Sequence, residues 1–365
     1  MKIEKKGEGK VRVILLMMMM VMMGCNSGGV KGEGAAGGGG SGAKSLSEVL
    51  LEVGRSAENA FYSFIELMSD TLGLKVTKDT TKQQVGEYFN SLGGKLGEAS
   101  GELEKVASKA MVGVDRSDES KNAKNSIRSA VDTAKGVLSL LKTHLESLKD
   151  IGDDKKVVDV TSNQAGVAAN ENALKKVYQA FKGIVTVANK EGVEKLKESK
   201  LTLSQESIGV VDAKNGVKIL GTDLAATAGD AGKAALIVSA VSGEEMLESI
   251  VQASEDKVVK ITGNATAQTT SLEFAKGGNA AHVSHSSDSK AAAVAGGIAL
   301  RSLVKEGKLA SHNANSDEKA VQLAGVTAVN KLLVALEDII KKTVKNVLDK
   351  VKKDVDEAKK PKTVS

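Results

Sequence analysis

Few residues in this chain could do chemistry. It holds one cysteine, four histidines and no tryptophan among 365 residues. Cys25 stands behind an unbroken apolar run, Val13 to Met23, with Gly24 between and more glycines after. A nucleophilic cysteine needs a base or a positive neighbour to form its thiolate, and the surrounding sequence offers none. Its position points to an attachment point instead. With no second cysteine, no intramolecular disulfide can form. His282-Val-Ser-His285 pairs two histidines, with His144 and His312 elsewhere. Zinc takes three or four ligands, and no His-Glu-x-x-His is present, so these read as solvent-exposed loop histidines. Gly229-Asp-Ala-Gly-Lys-Ala234 has the shape of a phosphate loop, but that pattern needs glycine at 227 and a hydroxyl at 234. Thr227 and Ala234 occupy those places. "HVSHSSDS", from His282, supplies serine, histidine and aspartate without triad geometry. Asn264-Ala-Thr266 fits a glycosylation sequon by chance. The expectation is no enzyme: no catalytic, cofactor-binding or metal-binding residue.

What must position Cys25 is the segment before it. Met1 to Arg12 is polar, with Lys2, Lys5, Lys6, Lys10 and Arg12 against Glu4 and Glu8. A charged stretch, a short apolar run and a small residue form a secretory signal. The run is about half the roughly 20 apolar residues that span a bilayer. Met22-Met-Gly-Cys25 resembles a bacterial lipobox, with methionine where leucine is commonest. That resemblance implies cleavage between Gly24 and Cys25, a diacylglycerol on the thiol and an N-palmitoyl group on the new amine. Several acyl chains anchor stably where one does not. Asn26 to Lys44 is glycine-dominated and aperiodic, which reads as a flexible tether of about 25 Å root-mean-square reach.

Charge excludes other partners. Taking the five basic and two acidic residues of the signal from the totals of 51 and 46 leaves 46 and 44. That near-neutral balance and only eight aromatic residues argue against nucleic-acid binding. The lysine-rich end, Lys341 to Lys362, could touch anionic head groups, but reads as a solvated helix face.

The single proline is Pro361, so nothing inside the chain stops long helices. Ser45-Leu-Ser-Glu48 is a capping box, and Leu46, Leu50, Val53, Ala57, Phe61, Phe64 and Met68 make an amphipathic helix to Ser69. Thr80 to Gln83 caps a second helix to about Ala110, interrupted at Gly93-Gly94. Ile127 to Leu145 marks a third, ending near Lys149. Helical character resumes from Asn163 to Gly192. From Glu194 to Gly232 it weakens, with short strands or irregular loops around Ile208 to Val211 and Val217 to Leu220. Ser242 to Glu245 caps a helix to Asp256, Ile261 to Ser289 is loop-rich, and Lys290 to Lys305 is helical. Asn315 caps the last helix, where Leu333, Leu336, Ile340, Val344, Val347, Val351 and Val355 repeat nearly as a heptad. Its roughly 40 residues reach about 60 Å. The expected architecture is mainly all-α: an elongated bundle with the two terminal helices side by side and irregular distal loops. Its parts are a signal over 1–24, a tether over 25–44, a helical domain over 45–360 and a tail over 361–365.

Longer blocks resemble a known family. Leu50 to Ser100, Val241 to Val251 ("VSGEEMLESIV"), Ser271 to His282 ("SLEFAKGGNAAH"), Lys290 to Ala310 and Asn330 to Lys353 look like the variable large proteins of relapsing-fever Borrelia. Ile298 to Ala310 is also similar to the invariable region of the variable surface lipoprotein of Lyme Borrelia. The resemblance implies an outer-membrane lipoprotein facing outward, one of many variants expressed singly to escape antibody. Its partners would be outer-membrane lipid through acylated Cys25 and host antibodies. An adhesin for host cell glycans or plasma proteins is the alternative, and homo-oligomerisation stays open. Type-specific epitopes are expected on Gly113–Asn122, Gly152–Val167, Lys200–Gly232, Val259–Thr270, His285–Ser289 and Ser311–Ser316, which are polar and glycine-rich.

Overall fold

The computed structural model describes residues 73–111, 118–313 and 317–358. The signal, the tether, the expected helix from Ser45 to Ser69 and the tail all lie outside them, and so does its expected pairing with the last helix.

Helices α1 (Lys82–Met111) and α2 (Asp118–Glu146) form an antiparallel pair. Glu104 of α1 meets Arg128 at 2.7 Å and also Lys135, while Gly86 and Gly93 lie against Lys149 and Glu146. Phe89, Leu92, Leu96 and Leu103 interleave with Val131, Leu138, Leu141 and Leu145, all buried. The expected interruption at Gly93-Gly94 does not occur, and α1 runs straight through. Gly93 instead lets α2 approach: a Cβ there would stand 3.0 Å from Glu146 Cγ. The first turn of α1 is closed by a distant loop, Lys82 N donating to Lys155 O and Gln83 N to Asp153 O.

Helix α3 (Glu171–Lys190) begins eight residues later than the apolar spacing suggests. Asn170 caps it, its side chain accepting from Ala173 N at 3.1 Å. The residues before are held in extended pairing, Ala165 with Ala225 and Val167 with Lys308. Such partners lie far away in sequence, so local periodicity cannot register them. The strands suggested near Ile208 and Val217 are also absent. Ser204 caps a short helix α4 (Gln205–Ile208) that Gly209 ends at φ 84°, and Ala213–Leu220 is a 3₁₀ segment. Isolated bridges are the extended pairings among the described residues.

Helices α5 (Asp230–Ala240) and α6 (Gly243–Val251) follow, the second headed by the expected Ser242/Glu245 capping box. The stretch read as loop contains α7 (Ser271–Lys276) and α8 (Ala280–Val283). Thr270 and Glu273 form a capping box there too. Helix α9 (Ala291–Leu303) is buried on every side, all thirteen residues, as an apolar helix without a polar face must be. Ile298, Leu300, Leu303 and Val304 are core, as their spacing implies. Helix α10 (Asp317–Ala358), 42 residues long, packs against α2, α3, α5, α6 and α9.

Candidate functional site

Cys25 and Gly24 lie outside the described residues. The other candidate residues are placed, and none is arranged for catalysis. Among the described residues no group of three or more histidines, cysteines and carboxylates could share a metal. His282 belongs to α8, and His285 is exposed beyond it. His144 is not a loop residue. It sits in the last turn of α2 with its ring on the backbone of α3, where a Cβ on Gly183 would fall 2.2 Å from Cε1. Desolvation there holds its pKa below the ordinary 6.5.

At Gly229 the place of a phosphate is taken. Asp230 folds back over the start of α5, accepting from Thr227 N at 2.7 Å and from the Thr227 hydroxyl. Ser284 and Ser289 donate to the carbonyls of Ala280 and Thr266, at 2.8 and 3.2 Å. The basic end of α10 is answered locally: Lys345 by Asp349 at 2.8 Å, Lys350 by Glu191 at 2.7 Å and Lys353 by Glu357 at 3.8 Å.

Two buried cations escaped the sequence reading. Arg301 is wholly buried in α9, and each arm of its guanidinium donates to a carbonyl: Nε to Ala275 at 2.8 Å, one terminal nitrogen to Leu220 at 3.0 Å, the other to Phe274 at 3.1 Å. It closes the C-terminal ends of α7 and of the 3₁₀ segment together. Burial pulls its pKa down to about 9. Gly277, at φ 62°, gives it room, since a Cβ there would strike the guanidinium. Lys82 does the same for the end of α9, donating to Val304 O at 2.8 Å and Gly307 O at 2.6 Å. Its pKa falls to about 8, burial outweighing the attraction of Asp153 and Asp159. A lone arginine inside an Ala-rich apolar run was the available signal.

The exposed segments are pinned from below. Val158, Leu203 and Ala265 anchor three of the polar stretches in the core. Lys200–Gly232 is not one loop, because Val217, Ile219 and Leu220 are fully buried. Val167, Val211, Leu224 and Val259 nonetheless stand out to solvent within these stretches. A cleft of about 380 Å³ opens beside Val167, lined also by Thr222, Lys260, Lys276, Glu171 and Glu306.

Comparison with known proteins settles the family. Residues 57–355 match the model of the Borrelia lipoprotein family. The chain belongs to it. Variable large protein 21 of Borrelia hermsii is 58% identical over 321 residues, 88% of this chain and 86% of that one. Variable large protein 25 is 59% identical over 330 residues, with 88% and 87% covered. Variable large protein 4 is 24% identical over 311 residues, covering 81% and 80%. The crystal structure of the Lyme disease variable surface antigen VlsE of Borrelia burgdorferi matches the fold with a TM-score of 0.63 at 23% identity, over 84% of this chain and 98% of that one. The chain is thus a lipoprotein of the variable-large-protein group with a mainly helical fold.

Proposed function

We propose that this variable-large-protein relative stands on the outer face of the outer membrane, held by lipid on Cys25, and serves as a variable major antigen. Exchange of the expressed variant then leaves existing antibody without its target. The observation that carries this reading is a spread of identity at constant length. Relatives from one organism range from 59% to 24% identical while covering between 88% and 79% of the chain. Relatives of similar length therefore carry widely different sequences. The interior of Ala, Val, Leu and Ile supports that role, because exposed segments change at little cost to stability.

Residues 205–212, 222–229 and 259–270 are the exposed places best suited to type-specific epitopes. Grafted onto a sister variant, they should move serotype-specific antibody binding with them; recognition that stays with the helices contradicts the assignment. For the anchor, Cys25→Ser should abolish palmitate incorporation and leave the protein in the aqueous phase of a detergent partition. A variant that still takes up palmitate excludes Cys25 as the acylated residue. The adhesin alternative has one foothold, the cleft with Lys260 and Lys276. Saturable binding of host glycans or plasma proteins, lost in K260Q/K276Q, would support it.

A further inference from the structure

Between α3 and α4 the chain crosses the surface as a strap without regular structure. Residues 193–201 have no regular structure. Val193 N still bonds to Ala188 O, and Leu201 O accepts from Ala291 N. Between those two points, residues 194–200 make no main-chain hydrogen bond to the main chain of any described residue. Side chains hold the strap instead. Val193 and Leu196 pack partly on the core, Ser199 is buried and bonds to Glu245, and Glu198 pairs with Lys290. Lys195, Lys197 and Lys200 point to solvent.

A protease reads its substrate as an extended strand, through backbone hydrogen bonds and one deep side-chain pocket. Several lysines in neighbouring surface segments have main-chain groups that are already engaged. Lys155 O accepts from Lys82 N, Lys257 N bonds to Ser254 O, and Lys308 pairs with Val167. Among described residues 118–313, the strap combines three exposed lysines in six residues with main-chain groups not bonded to other described main chain.

We propose that the strap is a cleavage site for lysine-directed serine proteases of the host, and that the nicked protein stays assembled. The step is hydrolysis: the peptide C–N bond after a lysine breaks, water adding a hydroxyl to the carbonyl carbon and a proton to the leaving amine. Both sides remain held to each other across the cut. Tyr178 of α3 donates to Ala253 O at 2.8 Å, and Val167 is paired with Lys308 on both main-chain groups.

The test is limited digestion of the folded mature chain with trypsin, the first cut within residues 118–313 being located by mass spectrometry. The first cut is expected after Lys195, Lys197 or Lys200, with both fragments co-eluting on native size exclusion. K195Q/K197Q/K200Q should keep the thermal midpoint and slow that cut at least about tenfold. A first cut elsewhere in that range, or an unchanged rate in the triple variant, overturns the site. Separation of the fragments without denaturant overturns the claim that they stay assembled.

Discussion

Arg301 shows what a single side chain does in this fold. Its five donors form a rigid planar fork that reaches carbonyls of two elements at once. Lysine offers one point charge and cannot span them. Arg301→Met should leave the carbonyls of Leu220 and Phe274 without the donor Arg301 supplies, and that of Ala275 with only the long bond from Ala169 N at 3.4 Å, at about 1–3 kcal/mol for each that stays dry and unpaired. Arg301→Lys should recover only part of the loss. Thermal unfolding followed by circular dichroism reads both, and an R301M midpoint equal to the parent's would refute the role. His144 gives a pH dependence with a definite sign. Its folded pKa lies below 6.5 because its ring is desolvated against Gly183, so the unfolded chain binds the proton more readily. The stability it contributes is complete above about pH 6.5 and is lost as pH falls through the folded value. H144Q should flatten that part of the stability profile; an identical acid slope in the variant would exclude His144 as its source. Of these residues, the burial of Leu303 was legible from helical spacing. Arg301 and Lys82 were not, because their partners are carbonyls brought from 26 to 225 residues away.

At the scale of elements, the glycines divide into those that permit contact and those that do not. A Cβ at Gly86 would lie 2.3 Å from Lys149 O, whereas one at Gly94 meets nothing within 4 Å. Both are interior to α1. Gly94→Ala should stabilise by about 0.5–1 kcal/mol, the ordinary gain of alanine over glycine in a helix. Gly86→Ala should destabilise by more than that, since backbone must move. Chemical denaturation midpoints shifting the same way in both variants would contradict the close packing of α1 on the turn that follows α2. Local pattern recovered most of the helices, because 3.6-residue periodicity and capping boxes are short-range signals. Ser242/Glu245 was read correctly; the equivalent Thr270/Glu273 was passed over because its helix is only six residues long. The late start of α3 and the 3₁₀ segment depend on Gly166, Gly221 and Gly278 meeting across the chain, which no window of sequence contains.

For the whole molecule, an apolar interior centred on α9 supports surface segments that can differ while the scaffold persists. Leu303→Asp places a charge in that centre and should unfold it, at a cost of several kcal/mol; an unchanged thermal midpoint would deny that α9 is the core. The resemblance carried the functional reading at this scale, since residue types and spacing pointed to no particular role. The central claim is that this lipoprotein faces outward. The direct measurement is protease treatment of intact cells, with a periplasmic protein as control, followed by immunoblotting. The account predicts that this protein is cleaved while the control survives. Protection until the outer membrane is broken would place it in the periplasm and contradict a role as a surface antigen.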